Sequence, residues 1–226
     1  MHIDRGQYGQ RLIGGAKMAE IVDKVCLIVS GGPFYRPEEV PSGDFVVACD
    51  RGVAYAAELG IEPDFIVGDF DSYRGELPKG VPTVTLPVRK DDTDTGYALR
   101  YAVEHGFGRV RIAFALGGCL DHTLANLQSA AKAAKAGVLV RLEGENTLAY
   151  VLSRSTVRLD VRRGQRLSVL SLGDVCRDVS IRGARYTLDR AVLYGDYPLG
   201  VSNQAEGAVE VSCGEGVLAV MLVSSD

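Results

Sequence analysis

Two aspartates two positions apart, Asp69 and Asp71 in the stretch VGDFDS, follow an apolar run and a glycine. Carboxylates that close repel one another, and each loses hydration when buried, so a neighbouring cation would offset both penalties. On an extended strand, residues i and i+2 face the same way, roughly 6.5–7 Å apart at Cα. The pair can therefore address one ligand if the strand conformation persists through Asp71. A second acidic cluster, RKDDTDTG (89–96), sets Asp91, Asp92 and Asp94 beside Arg89 and Lys90 at an expected helix start. Oxygen donors with no His or Cys among them suit a hard cation, and Mg²⁺ typically takes one or two carboxylates, waters and substrate phosphates. Each feature also has a plainer reading. Aspartate at a helix start caps free backbone N–H groups, and D-x-D after a strand is often solvated loop. An EF-hand reading of DDTDTG fails, because the twelfth position from Asp91 is Ala102 rather than Glu. His122 has no second histidine near it and reads as a hydrogen-bonded structural residue.

The elements that must position these groups alternate. KVCLIVS, DFVVACD, PDFIVGDF, PTVTLP, RVRIAFALGG and VLVRLEGE read as six strands. Helices are expected at RGVAYAAELG, stopped by Gly60, and at TDTGYALRYAVEHG, where Tyr97, Tyr101 and Ala98, Ala102 recur at helical spacing. A third, DHTLANLQSAAKAAKAG, is rich in alanine and leucine, with Asp121 near its start and Gly137 after its end. Strands that are apolar throughout and separated by helices indicate a mainly parallel sheet covered on both faces. Ligands bind such sheets beyond the carboxyl ends of the strands. Asp50, Asp69, Asp71, Gly117–Gly118 and the SGG of Ser30–Gly32 all fall just past strand ends, so the candidate chemistry converges on one edge.

After about Asn146 the texture changes. STVRLDV, QRLSVLSLG, VSIRGARYTL, GAVEVSCG and GVLAVMLV are short β-rich runs separated by Gly, Asp and Asn, with no long helical pattern between them. The expected fold is therefore α/β plus β: an N-terminal, mainly parallel, Rossmann-like α/β domain over 21–146, then a C-terminal β-sandwich over 147–226. Residues 1–20 lack the continuous apolar core of a secretory signal and read as a loosely ordered extension, with Met18 an alternative start.

Composition excludes several classes. A net charge of −4 over 226 residues gives no global attraction to nucleic acid or to an acidic membrane surface, and no apolar run approaches the roughly 20 residues of a membrane span. The five cysteines are widely spaced, with no C-x-x-C, which argues for a reducing, cytoplasmic setting over a disulfide framework or zinc site. No G-x-x-x-x-G-K-[ST], no G-x-G-x-x-G after the first strand and no G-x-S-x-G occurs.

GDFDS (68–72), KDDTD (90–94), LGGCLDHTLANL (116–127) and GVSNQ (200–204), in that order, resemble thiamine pyrophosphokinase, over nearly the whole chain from Lys24. ACDRG (48–52) is similar to that family's early acidic strand end, with Arg51 where a small residue is usual. The resemblance implies transfer of a pyrophosphoryl group from ATP to the hydroxyl of thiamine, giving thiamine diphosphate and AMP. It implies an α/β domain holding ATP and Mg²⁺, a β-sandwich helping to bind thiamine, and a homodimer with sites at the subunit interface. Carried over, Asp69, Asp71 and Asp94 would be the catalytic, metal-binding carboxylates, with Asp50 a further member and Asp71 the acceptor of the hydroxyl proton. Lys90, Thr93, Gly117, Gly118, Asp121 and Asn126 would line the nucleotide. Ser202 and Asn203 would contact thiamine, and with no Trp in the chain Tyr186 is the candidate to stack on its pyrimidine. One departure stands out: Cys119 occupies a position where the family commonly has Arg, so phosphate charge would fall to Arg51, Arg89 or Lys90. Competing readings are a pyrophosphokinase acting on another alcohol such as a pterin, a D-x-D nucleotide-sugar transferase, and a nucleotide- or thiamine-binding module without turnover.

Overall fold

The computed structural model describes residues 22–71, 73, 75–87 and 92–224. The expected N-terminal extension, Arg89, Lys90 and Asp91 lie outside them. Six strands, β1 (Val22–Val29), β2 (Phe45–Cys49), β3 (Phe65–Gly68), β4 (Thr83–Thr85), β5 (Phe107–Ala113) and β6 (Leu139–Glu143), pair in parallel. Their order across the sheet is β4-β3-β2-β1-β5-β6. Each was legible as an apolar run. Side-chain alternation splits them between two cores: Cys26 and Ile28 face one, Leu27 and Val29 the other.

Three helices cover this half. α1 (Gly52–Leu59) packs Ala56 with Leu27, Val29 and Val46, and ends on Gly60 in the left-handed region, φ 68°. On the opposite face, α2 (Asp94–Glu104) buries Ala98, Leu99 and Ala102, and α3 (Leu120–Lys135) buries Leu127, Ala130 and Ala134 against Val110, Ile112 and Val140. Small alanine faces bring both helices close to the sheet. In α3, Asp121 in the first turn and Lys132 and Lys135 in the last complement the helix dipole.

The remainder is strand. β7 (Thr147–Leu152), β8 (Ser155–Leu159), β9 (Arg166–Ser171), β10 (Val175–Ala184), β11 (Leu188–Tyr194), β12 (Asn203–Cys213) and β13 (Leu218–Val223) follow in order. β7 and β11 were not singled out in the sequence. The sheet does not stop at residue 146: β7 pairs antiparallel with β6, then β13, β9 and β12 continue it. β12 also pairs with β8 and β10, and β10 with β11, so hydrogen bonding links all thirteen strands. A separate core of Leu152, Leu167, Val169, Ile181, Val211 and Leu218 fills this half. The chain is thus a sheet-rich α/β fold with a mixed sheet. Cys26, Cys49, Cys176 and Cys213 are buried free thiols and Cys119 is exposed. No described helix is long and apolar enough to cross a membrane.

Candidate active site

The carboxyl ends of β1, β2 and β3 are tied together by backbone contacts. Past β1, the Ser30 and Gly32 amides donate to the carbonyls of Ala113 and Phe114, at 3.0 and 3.1 Å. Past β2, the Asp50 amide donates to the Val67 carbonyl at 2.9 Å, with Asp50 itself in the left-handed region at φ 46°. Gly52 then starts α1 against β1; a Cβ there would sit 2.0 Å from the Val29 carbonyl oxygen, so only glycine permits this approach. The start of α2 is held by Thr93, whose hydroxyl accepts from the Gly96 amide at 2.9 Å. A buried hydrogen bond of 2.8 Å between the Ser30 and Thr95 hydroxyls fixes that helix start to the end of β1.

This framework brings Asp50, Asp69 and Asp94 together. Each offers one carboxylate oxygen, these oxygens lie within 4.8 Å of one another, and all three residues are partly buried. Carboxylates this close repel when charged, and a nearby cation offsets that repulsion. Three carboxylate oxygens, with no nitrogen or sulfur donor in the group among the described residues, form a site that fits a hard divalent cation. Asp71 stands apart. β3 ends at Gly68 and Phe70 turns into the left-handed region at φ 56°, so the extended geometry needed to point Asp69 and Asp71 the same way does not persist. Asp71 is exposed, and its amide donates to Asp69 Oδ1 at 3.3 Å, which orients Asp69. Within DDTDTG the capping and ligand readings divide by residue: Thr93 caps, Asp92 pairs with Arg100, and Asp94 joins the acidic trio.

The other expected residues are distributed as follows. Gly117 and Gly118, at φ 92° and 65°, form a turn against Pro33 just before α3, a backbone path that favours glycine. Asp121 is exposed and accepts from the His122 amide at 2.9 Å. Asn126 is buried and donates to the Ala115 carbonyl at 2.8 Å, tying α3 to the segment after β5. In the β-rich half, Asn203 is buried and clamps Tyr186 through both its carbonyl oxygen (3.0 Å) and its amide (2.7 Å). That clamp presents the Tyr186 ring to solvent, 64% exposed, at the β10–β11 turn. Ser202 is exposed at φ 60°, its amide donating to Ser168. Lys90 lies outside the described residues.

Sequence reasoning missed the wall beside the glycine turn. Phe34 and Tyr35 pack on Phe114, at ring-centroid distances of 5.5 and 4.9 Å, and the Tyr55 hydroxyl donates to the Gly32 carbonyl at 2.9 Å. A cavity of about 270 Å³ opens there, bounded by Phe34, Tyr35, Leu116, Gly117 and Asn146. The aromatic pair FY directly after SGGP was its visible signal.

Comparison with known proteins gives one consistent result. The family model described as thiamin pyrophosphokinase, catalytic domain, matches residues 38–142. The one described as thiamin pyrophosphokinase, vitamin B1 binding domain, matches residues 154–218. Thiamine pyrophosphokinase of Bacillus subtilis is 25% identical over 187 residues, 80% of this chain and 87% of that protein. A solved thiamine pyrophosphokinase from B. subtilis superposes with a TM-score of 0.77 at 21% identity, covering 90% of this chain and 100% of the other, which establishes the shared fold. The thiamin pyrophosphokinase of Geobacillus thermodenitrificans is 26% identical with a TM-score of 0.71, covering 89% and 98%. With both models matched in order and together spanning most of its length, the chain belongs to the thiamin pyrophosphokinase family.

Proposed function

We propose that this protein transfers a pyrophosphoryl group from ATP to thiamine, forming thiamine diphosphate and AMP. The observation that carries the reading is the trio Asp50, Asp69 and Asp94 at the carboxyl edge of the parallel strands, in a chain that belongs to this family. The three carboxylates would hold Mg²⁺, which supplies charge neutralisation to the polyphosphate and polarises the phosphoryl group under attack. Two or three strand spacings, roughly 5 Å each, separate the end of β5 from those of β2 and β3. That suits a nucleotide laid along the edge, its base in the cavity beside Phe34 and Tyr35 and its phosphates toward the trio. Gly117 and Gly118 give the phosphates close access to backbone, and the first N–H groups of α3 favour negative charge there. Arg51, exposed beside Asp50, is a described cation able to act where Cys119 replaces the family's arginine. Asp71, exposed next to the trio, would take the proton from the attacking hydroxyl. In this chemistry the protein mainly aligns the reactants and stabilises charge.

The same reading divides the chain into a Rossmann-like nucleotide unit and a β-sandwich that receives thiamine, with Tyr186 and Ser202 at its exposed turns. It places the protein in the cytoplasm as a homodimer. Leu120 (71% exposed), Tyr197 (61%) and Leu199 (53%) are large apolar surfaces that a second subunit would cover.

The test is to incubate purified protein with ATP, Mg²⁺ and thiamine and to resolve the products by chromatography. Equal amounts of AMP and thiamine diphosphate are expected. ADP formation, or AMP release that does not depend on thiamine, would overturn the reading.

A further inference from the structure

A cleft of about 850 Å³ lies on the face of the sheet that α1 covers only in part, between the segment after Phe34 and the loop joining β8 to β9. Its chemistry is the opposite of the acidic trio. Six arginines line it against four glutamates, in a chain whose net charge is −4. On its floor, Arg111 grips the buried carboxylate of Glu143 through two nitrogens, at 2.8 and 3.3 Å, while the Nε of Arg141 shares the same carboxylate at 2.8 Å. One carboxylate therefore serves two guanidinium groups. Arg141 also lies over the Tyr150 ring, 5.8 Å from its centroid, which fixes the plane of its fork. On the lip, Arg162 and Arg163 are exposed, stand on the tight turn made by Gly164 at φ 88°, and form no ion pair with a carboxylate among the described residues. The phenol of Tyr35, another lining residue, is pushed up to about 12, first by burial and then by the Glu143 charge, so it stays a neutral donor.

We infer that this cleft is a binding site for a small anion carrying two phosphoryl groups, held between Arg141 on the floor and Arg162 and Arg163 on the lip. Guanidinium forks match phosphoryl oxygens two at a time and hold charge without deprotonating. Guanidinium groups from β6 and from the β8–β9 loop lining one cleft suit two linked phosphoryl groups better than one. Arg36 is paired with Glu58 outside the cleft, and the remaining five arginines still exceed the four glutamates, which favours an anion. A nucleic acid would need a basic stripe running on past the cleft, whereas Glu38, Glu39 and Glu145 interrupt it. The site is distinct from the acidic trio, since its charged groups sit within β5 and β6 and on the β8–β9 loop, and it adjoins the cavity proposed for the nucleotide base, with Tyr35 and Asn146 lining both. The inference stands whether or not the protein makes thiamine diphosphate.

The experiment is calorimetric titration of the full chain with inorganic pyrophosphate in EDTA, at fixed ionic strength. Omitting divalent cation removes the metal-dependent part of binding at the proposed reaction centre, and the arginine variants separate the two sites. One site per chain is expected. Arg162→Glu with Arg163→Glu should weaken it by about tenfold or more, while Asp69→Asn leaves it unchanged. Both arginines are exposed, so the double variant retains the fold, which its thermal melt checks. A parallel titration with ADP separates sources. Binding with the same dependence on Arg162 and Arg163 would extend the site to organic diphosphates, and absence of ADP binding would assign it to free pyrophosphate. Three results would overturn the inference: no pyrophosphate binding, equal affinity in the double variant, or orthophosphate binding as tightly as pyrophosphate.

Discussion

The molecule carries two charged sites of opposite sign, and they are built in opposite ways. The acidic trio stands on two strand ends and a helix start, on backbone twisted into the left-handed region at Asp50 and Phe70, with three carboxylates close together. The floor of the arginine cleft stands within strands, on regular backbone, and its two guanidinium groups share the Glu143 carboxylate. Removing a carboxylate from the first takes away one donor. Removing one from the floor of the second exposes an unmatched partner. A site that stores strain and repulsion is organised around something it binds, whereas a matched cluster also supports the fold.

The sharpest way to break that contrast is at Asp69. Asp69→Asn should lower turnover by roughly 10³-fold with no loss of thermal stability; a variant that unfolds instead would make the trio structural. Asp71→Asn sharpens the point. As proton acceptor it should abolish turnover while the fold and nucleotide binding hold, and near wild-type kcat would sink that role.

Next in size is Glu143→Gln. It leaves Arg111 and Arg141 facing each other without their shared carboxylate. Full burial would make this worth 3–5 kcal/mol, but both guanidiniums keep about a quarter to a third of their exposure, so about 2 kcal/mol is expected. The melting temperature should fall by roughly 4–8 °C. An unchanged melt would mean that the floor is not matched as described.

The smallest effect on stability is at Asp50. Asp50→Asn removes one carboxylate of the trio and keeps a residue tolerant of the left-handed region there. It should reduce turnover while leaving the melting temperature unchanged. Destabilisation would show that Asp50 holds the strand end in place.

These residues also mark how far the sequence could be read. The six parallel strands and three helices were visible because short, mainly apolar runs alternate with alanine-rich helical periodicity. β7 and β11 were not. TLAYVL follows β6 after a short turn and reads as its continuation, and LDRAVLY mixes charged and apolar residues without clean alternation. Asp50, Asp69 and Asp71 were placed on the binding edge and Asp94 at a helix start, but that Asp94 joins the first two while Asp71 does not depends on the left-handed turn at Phe70, a residue with no local preference for it. Asn126 and Asn203, read as ligand contacts, also hydrogen-bond backbone. An asparagine is equally suited to either task, and only the surrounding backbone decides. The arginine cleft left a trace, since Arg111, Arg141 and Glu143 interrupt strands otherwise read as buried on both faces.

The order of the strands bears on how the protein is made. β13, the last of the thirteen along the chain, lies between β7 and β9, both of which are synthesised earlier. Until residues 218–223 have been translated, two edges in the middle of the sheet stay unpaired and the second core lacks Leu218, Val220 and Leu222. The parallel half can assemble as it emerges, but the β-rich half can only close at the end. For that interval its open edges are the part of the nascent chain most exposed to wrong pairing.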